Sequence, residues 1–350
     1  MLRLNLMTFH HAAQIIPLSH IFTLAVLAFI LAMAFTPIYT ALAFKYQWWK
    51  RARTDAFTGE KAPVYTKLHA AKHKRNIPTM AGIVIILAIA LVTLVLNLSR
   101  AQTYLPLFAL IAAGTVGLLD DYINIRGSSG IAGMRGKIKF SLIFGVAVAG
   151  ALYFYYKLGY SLIHVPAVGD FDIKWLYIPL FILVLVSTAN AVNITDGLDG
   201  LSGGLLATAY GAYAVIAYFQ GNYGIAGFCA TVVGAMLAYT WFNIYPARFF
   251  MGDSGAFALG TALGVIAMLT NTVFVLPIIG GVFVLEAGSS LIQILSKKIF
   301  KRKIFLSAPL HHHLEAIGWP ETKVTMRLWI VGQVFGALGL VLGLLGNKLR

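Results

Sequence analysis

The sequence predicts an all-α polytopic membrane protein, a class in which apolar helices cross the bilayer several times. Of the 350 residues, 59% are hydrophobic and only 11% are charged, and the mean hydropathy is +0.81. This composition is too apolar for a soluble globular domain. Uncharged runs recur along the chain, and many are long enough to cross a bilayer, which takes about 20 residues. We therefore treat residues 1–350 as one integral membrane domain.

The apolar runs predict about ten transmembrane helices. Two long runs are divided at 220–224 (QGNYG), a turn signal, and at 270–272 (TNT). The first residues lack the small-residue cleavage site of a removable signal peptide, so we expect a short interfacial helix there. The expected spans are roughly 19–44, 78–98, 101–119, 138–157, 175–194, 201–219, 224–243, 254–270, 273–296 and 327–346.

The basic residues indicate which side of the membrane each loop faces. The formal net charge is +15, and most of the 27 lysines and arginines fall in loops that follow odd-numbered spans. The positive-inside rule places those loops in the cytoplasm and both chain termini outside. Because this topogenic signal explains most of the charge, we expect no nucleic-acid partner. A subset of the basic residues remains available for anionic membrane lipids or phosphate-containing substrates.

Five aspartates lie at the inner ends of the expected spans, although they come from three separate parts of the chain. Asp120, Asp121, Asp196 and Asp199 follow spans that run inward, so they lie at helix C-termini. The helix dipole disfavours a carboxylate there by about 0.3–1 kcal/mol. A bound cation would resolve this placement, and oxygen ligands beside phosphates suit Mg²⁺. Asp253 precedes the eighth span and has a second interpretation, as a simple N-cap.

Polar groups near these aspartates suit a nucleotide sugar. The glycines of DGLDGLSGG (196–204) allow the backbone to turn and to approach a ligand closely. The amides of Asn190, Asn193 and Asn243 supply donors and acceptors for a nucleobase or a sugar. Alone, DGLDG is a weak signal, because acidic glycine-rich turns are common.

The last cytoplasmic loop contains three consecutive histidines, His311, His312 and His313. Zinc binding is one interpretation, but consecutive side chains fan around the backbone and rarely converge on one metal. A solvated loop is a second interpretation. Phosphate binding by imidazole donors fits best beside a carboxylate–magnesium centre. Glu286 lies within the ninth span, where it is either a functional group or hydrogen-bonded between helices.

Five motifs occur in the order of a known family, and the similarity runs from about Lys74 to the C-terminus. On these motifs the sequence resembles the phospho-N-acetylmuramoyl-pentapeptide transferases, within the polyprenyl-phosphate N-acetylhexosamine phosphate transferase superfamily. HHHLE followed by GWPE resembles the muramoyl-pentapeptide branch more than the branches that use simpler sugars. The motifs are PTMAG at 78–82, DDY at 120–122, NAVNITDGLDG at 190–200, FNIYPARFFMGDSG at 242–255 and APLHHHLE at 308–315.

The resemblance implies a reaction, a cofactor and a location. Members transfer phospho-N-acetylmuramoyl-pentapeptide from UDP-N-acetylmuramoyl-pentapeptide to undecaprenyl phosphate and release UMP, which forms the first lipid-linked peptidoglycan precursor. The expected cofactor is Mg²⁺. The expected location is the bacterial cytoplasmic membrane, with ten spans and an active site that faces the cytoplasm. A homodimer is a further family expectation.

The resemblance also implies roles for individual residues. Asp253 would ligate Mg²⁺, Asp120 would activate the lipid phosphate, and Asp121 would lie beside them as a further ligand. Lys139 would meet the pyrophosphate. The residues expected to bind the donor substrate are Lys74, Thr79, Asn190, Asn193, Asp196, Asp199, Asn243, Phe250, His311, His312 and His313.

Three departures from the family pattern and two alternative functions accompany this reading. Asn124 occupies the lysine position of the family's DDxxK pattern, Ala81 replaces a glycine of PTMGG, and the 220–224 loop is short. One alternative is a related transferase that passes a simpler amino-sugar phosphate to the same lipid. The other is an ion-coupled secondary transporter, which predicts internal repeats and acids near the membrane midplane. The sequence does not distinguish direct transfer from a covalent intermediate.

Overall fold

The computed structural model describes residues 2–49, 76–126 and 133–346, and in these parts it is predominantly helical. A π-helical turn, Tyr153–Lys157, extends α4. The α-helices are α1 (Leu2–Lys45), α2 (Gly82–Leu96), α3 (Tyr104–Arg126), α4 (Gly136–Leu152), α5 (Tyr177–Thr195), α6 (Leu201–Phe219), α7 (Tyr223–Asn243), α8 (Gly252–Leu269), α9 (Leu276–Ile279), α10 (Gly281–Phe300), α11 (Leu310–Ala316) and α12 (Glu321–Gly346).

The helices confirm a multi-pass membrane fold. Within the described ranges, eight helices are long and apolar enough to cross a membrane, and α2 is apolar but shorter. Helix α10 coincides with most of the ninth expected span but is not among those eight. The number of ten spans and the outward orientation of both termini therefore remain predictions.

Two local expectations about the helices differ from the structure. Helix α1 is continuous from Leu2, so no separate interfacial helix precedes the first span. The ninth span is interrupted: α9 contains Pro277, Gly280 separates the two helices, and α10 continues to Phe300. Glycine and proline both weaken helix continuity, which accounts for the break.

A short β-hairpin also departs from the all-α expectation. Strands β1 (Leu162–Val165) and β2 (Gly169–Asp172) pair antiparallel in the loop after the fourth span. The backbone N–H of His164 donates to the Asn271 side chain (2.9 Å), which attaches the hairpin to the loop after α8. The second strand of the hairpin contains two acidic residues, Asp170 and Asp172.

Helix α8 lies at the centre of the bundle, and every one of its residues is buried. Small residues allow neighbouring helices to approach it closely, as in other membrane bundles. A side chain added at Gly117 of α3 would collide with the backbone of Asp253, and one added at Gly82 of α2 would collide with the backbone of Gly255. The N-terminus of α8 is therefore held against the C-terminal part of α3 and the start of α2.

Two of the sequence motifs pair through their backbones beside this helix end. The N–H of Phe250 donates to the carbonyl of Pro78 (2.8 Å), and the N–H of Ala81 donates to the carbonyl of Phe250 (3.1 Å). The N–H of Gly82 donates to the carbonyl of Met251 (2.9 Å). PTMAG and the segment that leads into α8 are thus assembled next to Asp253.

Candidate active site

Three aspartates meet where α3 and α8 approach each other. One carboxylate oxygen each from Asp120, Asp121 and Asp253 lies within 4.8 Å of the others. Asp120 and Asp121 are fully buried, and Asp253 is 9% exposed. Buried carboxylates need cations or hydrogen-bond donors to offset their lost hydration. The structure thus brings together the three acids that the sequence assigned to catalysis and metal binding.

Asp121 obtains its donors from the neighbouring helix. Its carboxylate accepts hydrogen bonds from the backbone N–H groups of Asp253 (3.2 Å) and Ser254 (3.0 Å) in the first turn of α8. Such N–H groups have no partner within their own helix. The capping role considered for Asp253 therefore belongs to Asp121, while the N-cap position of α8 is Met251. Gly252 has a positive φ of 73° and leaves no space for a side chain beside Asp121.

Lys139 joins the other two aspartates. Its Nζ lies 2.8 Å from Oδ2 of Asp120 and 2.5 Å from Oδ2 of Asp253. The backbone N–H of Met134 donates to the second oxygen of Asp120 (2.6 Å). The Lys139 ammonium also lies 5.6 Å from the centroid of the Phe257 ring. The lysine expected at a substrate pyrophosphate thus forms ion pairs with two of the three aspartates.

The residues present fit a magnesium ion. The cluster offers carboxylate oxygens and no sulfur or imidazole, which is the ligand set that Mg²⁺ prefers. Thr79 supplies a further oxygen: its buried hydroxyl has no hydrogen-bond partner among the described residues. A side chain added at Gly252 would lie 2.8 Å from that hydroxyl and against Asp121, so Thr79 borders the cluster. Asp120 and Asp253, which already share a cation, are the candidate ligands.

Asn124 lies one helical turn beyond Asp120 and is buried (2% exposed). Its Oδ1 atom has no hydrogen-bond partner in the part of the chain that the structure describes. Residues four apart share one face of a helix, so Asn124 lies on the same side of α3 as Asp120. The position where the family pattern has lysine is therefore next to the site but holds a neutral amide.

Polar side chains hold the DGLDG turn in place through hydrogen bonds. The carboxylate of Asp199 accepts from the N–H of Ala247 (2.9 Å), and Glu321 accepts from the N–H of Asp199 (2.7 Å). Asn243 accepts from the N–H of Gly200 (2.9 Å) and donates to the carbonyl of Phe249 (2.8 Å). Asp199 and Asn243 thus connect the turn to the 245–251 segment. Their side chains hold the backbone of the expected uridine and sugar site.

The other expected donor-binding residues are placed differently. The hydroxyl of Ser202 donates to the half-buried carboxylate of Asp196. Asn190 donates to the carbonyl of Val186 in its own helix (2.7 Å). Asn193 is half-buried. No hydrogen bond joins either asparagine to the aspartate cluster within the described segments. Lys74 lies outside the described residues.

The three histidines have three different partners. Nδ1 of His311 lies 2.8 Å from a carboxylate oxygen of Glu286, and both residues are fully buried. His312 pairs with Glu315 at 2.7 Å. Nδ1 of His313 accepts from the N–H of Leu306 (3.2 Å). In the described chain these rings do not form a metal-ligand group, so the zinc interpretation is not supported.

His311 lies directly against the DGLDG turn. A side chain added at Gly197 would collide with Nε2 of His311, so the imidazole packs on the glycine backbone. That Nε2 atom is buried and has no partner among the residues described, and the same is true of Oε1 of Glu286. The histidine loop and the DGLDG motif, about 110 residues apart in sequence, therefore form one surface.

Sequence reasoning did not identify two residues of this network, Ser202 and Glu321. Ser202 follows the DGLDG motif directly, and Glu321 is the first residue of α12. Glu321 had one available signal, because acids are favoured in the first turn of a helix. Its contact with Asp199 depends on how α12 packs against α6, which no local pattern specifies.

Comparison with known proteins places the chain in a family. A model of glycosyl transferase family 4 matches residues 103–271. The phospho-N-acetylmuramoyl-pentapeptide-transferase of Geobacillus sp. (strain WCH70) is 42% identical over 322 residues, or 90% of this chain and 96% of the relative. Its namesake in Bacillus subtilis (strain 168) is 41% identical over 273 residues, or 76% and 84%. The namesake in Chloroflexus aurantiacus (strain ATCC 29366 / DSM 635 / J-10-fl) is 38% identical over 337 residues, or 92% and 89%. The chain is therefore a phosphotransferase enzyme that belongs to the phospho-N-acetylmuramoyl-pentapeptide transferase family.

Proposed function

We propose that this enzyme transfers phospho-N-acetylmuramoyl-pentapeptide from its UDP conjugate to undecaprenyl phosphate. The products are UMP and the first lipid-linked precursor of peptidoglycan. The single observation that carries the proposal is the buried arrangement of Asp120, Asp253 and Lys139. Carboxylates that hold a divalent cation, together with a protein cation near the phosphates, can stabilise the charge that develops when a pyrophosphate is cleaved.

In this proposal the aspartates have separate roles. Asp253 and Asp120 would hold Mg²⁺, which would supply positive charge to stabilise the reacting phosphates. Asp120 also activates the lipid phosphate for attack. Asp121 fixes the N-terminus of α8, and with it the position of Asp253, through its two hydrogen bonds. Lys139 provides a charge-assisted contact for the donor pyrophosphate.

The donor substrate is assigned to the surface formed by the DGLDG turn and the histidine loop. Asp196 and Phe250 are half-buried, and the family resemblance assigns both of them, together with Lys74, to donor binding. Asp199 and Asn243 act by holding the turn in place. His311 contributes the unpartnered Nε2 atom beside Gly197.

We place the reaction at the cytoplasmic face of the bacterial cytoplasmic membrane. The apolar helices support a multi-pass protein, and the basic loops support the orientation. Both substrates fit this location, because the UDP conjugate is soluble and undecaprenyl phosphate is a membrane lipid. The homodimer stays an expectation from the resemblance.

Donor exchange tests the proposal. The purified protein in lipid nanodiscs would receive undecaprenyl phosphate, Mg²⁺ and either UDP-N-acetylmuramoyl-pentapeptide or UDP-N-acetylglucosamine. Mass spectrometry would then detect the lipid-linked product. We expect product with the muramoyl-pentapeptide donor and little with the simpler sugar. Product from UDP-N-acetylglucosamine alone would instead identify a transferase for simpler amino sugars.

A further inference from the structure

Lys139 occupies the position between the carboxylates where a bound cation would lie. Its ammonium is within 2.8 Å of Asp120 and 2.5 Å of Asp253, the two residues assigned to the metal. Its side chain is 16% exposed and those of the aspartates are 1% and 13% exposed. Water therefore screens the ion pairs of Lys139 with Asp120 and Asp253 only weakly, and their charges interact strongly.

We propose that Lys139 is a tethered counter-ion that competes with the divalent cation for Asp120 and Asp253. Metal binding displaces its ammonium from both carboxylates and frees it for the phosphates of the donor. This inference rests on the proposed function, because it takes the two aspartates to be the metal ligands. The new element is that the lysine ammonium and the metal ion occupy the position between the two carboxylates in turn and not together.

The exchange follows from the geometry of the acceptor oxygens. One oxygen of Asp120 is already held by the N–H of Met134 at 2.6 Å, and the other accepts from Lys139. A divalent cation on that second oxygen would face a positive ammonium at close range, with a buried carboxylate on each side. Like charges at such separations repel strongly in a partly desolvated site. The lysine and the metal therefore cannot both hold their ligands at full strength.

The cluster explains why a tethered cation is needed. Asp121 is stabilised by the N–H groups of α8, whereas Asp120 and Asp253 both form ion pairs with Lys139. Two carboxylates so close together in a partly desolvated site repel each other, and this repulsion is costly unless a cation lies between them. The Lys139 ammonium, which contacts both carboxylates, lowers this cost. Its flexible four-carbon stem allows the ammonium to move when a metal arrives.

The exchange also links metal binding to donor binding. The resemblance assigns Lys139 to the pyrophosphate, yet its ammonium contacts Asp120 and Asp253 in the structure. Both placements are consistent if the metal releases the lysine. When metal is bound, both the metal ion and the Lys139 ammonium can contact the substrate phosphates. When no metal is bound, the ammonium stays paired with the aspartates.

The test measures metal affinity in the absence of substrates. Mn²⁺ is titrated into the wild-type protein, Lys139→Met, Lys139→Gln and Asp253→Asn in nanodiscs, and free Mn²⁺ is quantified by electron paramagnetic resonance. We expect both lysine variants to bind Mn²⁺ at least about tenfold more tightly, because a neighbouring unit charge typically changes an ionic equilibrium by that much. Asp253→Asn should bind more weakly. Equal or weaker binding by the folded lysine variants overturns the exchange.

A measurement on the unmodified sequence covers the case in which the variants fail to fold. Reductive methylation followed by mass spectrometry reports how readily each lysine amine reacts. Mn²⁺ should increase labelling of Lys139 several-fold, while the exposed Lys137 on the same helix serves as the control and should not change. Unchanged Lys139 labelling at a Mn²⁺ concentration that saturates the protein overturns the exchange. If the wild-type protein, Lys139→Met and Lys139→Gln all bind no Mn²⁺, the metal assignment of the proposed function fails instead.

Discussion

The carboxylate of Asp121, near the C-terminal end of α3, accepts a hydrogen bond from the backbone N–H of Asp253 at the start of α8 (3.2 Å). The start of a helix carries partial positive charge, so α8 stabilises a carboxylate that the end of α3 disfavours. The same contact holds one candidate metal ligand next to another. Asp121 therefore has a structural task, whereas its neighbour Asp120 contacts Lys139 and Met134.

Removal of this cap should destabilise the protein. We expect Asp121→Ala to lower the free energy of unfolding by about 1–2 kcal/mol, the upper range for loss of a capping side chain. Asp121→Asn keeps one acceptor oxygen and should lose less. Thermal unfolding in detergent without added metal measures both, with Asp120→Asn as the adjacent control. An Asp121→Ala protein that melts at the wild-type temperature would contradict the capping role.

The orientation of the chain is testable with single cysteines. Cys229 is buried, so it is replaced by alanine first. Val168, in the hairpin turn, is 69% exposed, and Lys301 follows α10 and is also exposed. We expect a membrane-impermeant maleimide to label Val168→Cys in intact spheroplasts and Lys301→Cys only after permeabilisation. The reverse pattern would place the active site on the outer face.

The contact between Gly197 and His311 predicts a size limit at the DGLDG turn. Gly197→Ala would push its new methyl group into Nε2 of His311, and overpacking of this kind typically costs about 1–3 kcal/mol. We expect a lower melting temperature and a raised KM for the UDP donor. Gly211→Ala is the matched control, because a side chain there meets no atom within 4 Å. Equal behaviour of the two variants would argue against the His311 contact.

A lysine at position 124 should partly replace the phosphate contact of Lys139. Lys139→Met should lower turnover by at least about tenfold, since a charge-assisted bond to the pyrophosphate is lost. Asn124→Lys introduces a cation on the same face of α3 and should partly restore turnover in the double variant. Initial rates against donor concentration measure all three proteins. Wild-type kinetics for Lys139→Met would remove this residue from the site.

The sequence was sufficient to predict the helices and the cluster of aspartates. Long apolar runs identify membrane helices because the bilayer requires both length and low polarity, and the basic loops then bring Asp120 and Asp253 to one face. The break before α10 was missed because glycine and proline also occur within membrane helices. Their presence in 277–281 did not decide between a kink and an interruption.

The partners of the site residues could not be predicted in the same way. Asp121 as a cap of α8, Lys139 on two carboxylates and Glu321 on the DGLDG turn all depend on how distant helices pack. Hydrophobic periodicity specifies which face of a helix is buried, but it does not specify which polar group lies opposite. The placement of His311 against Gly197 has the same origin.

Magnesium-dependent transfer at Asp253 can be tested in one assay of product formation. Purified wild-type protein and Asp253→Asn, matched for amount and for melting temperature, would receive UDP-N-acetylmuramoyl-pentapeptide and undecaprenyl phosphate with Mg²⁺ or with a chelator. We expect UMP and lipid-linked product from the wild-type protein with Mg²⁺, no product in chelator, and at least about a hundredfold lower rate for Asp253→Asn. Product formation at the wild-type rate in chelator, or by Asp253→Asn, would contradict it.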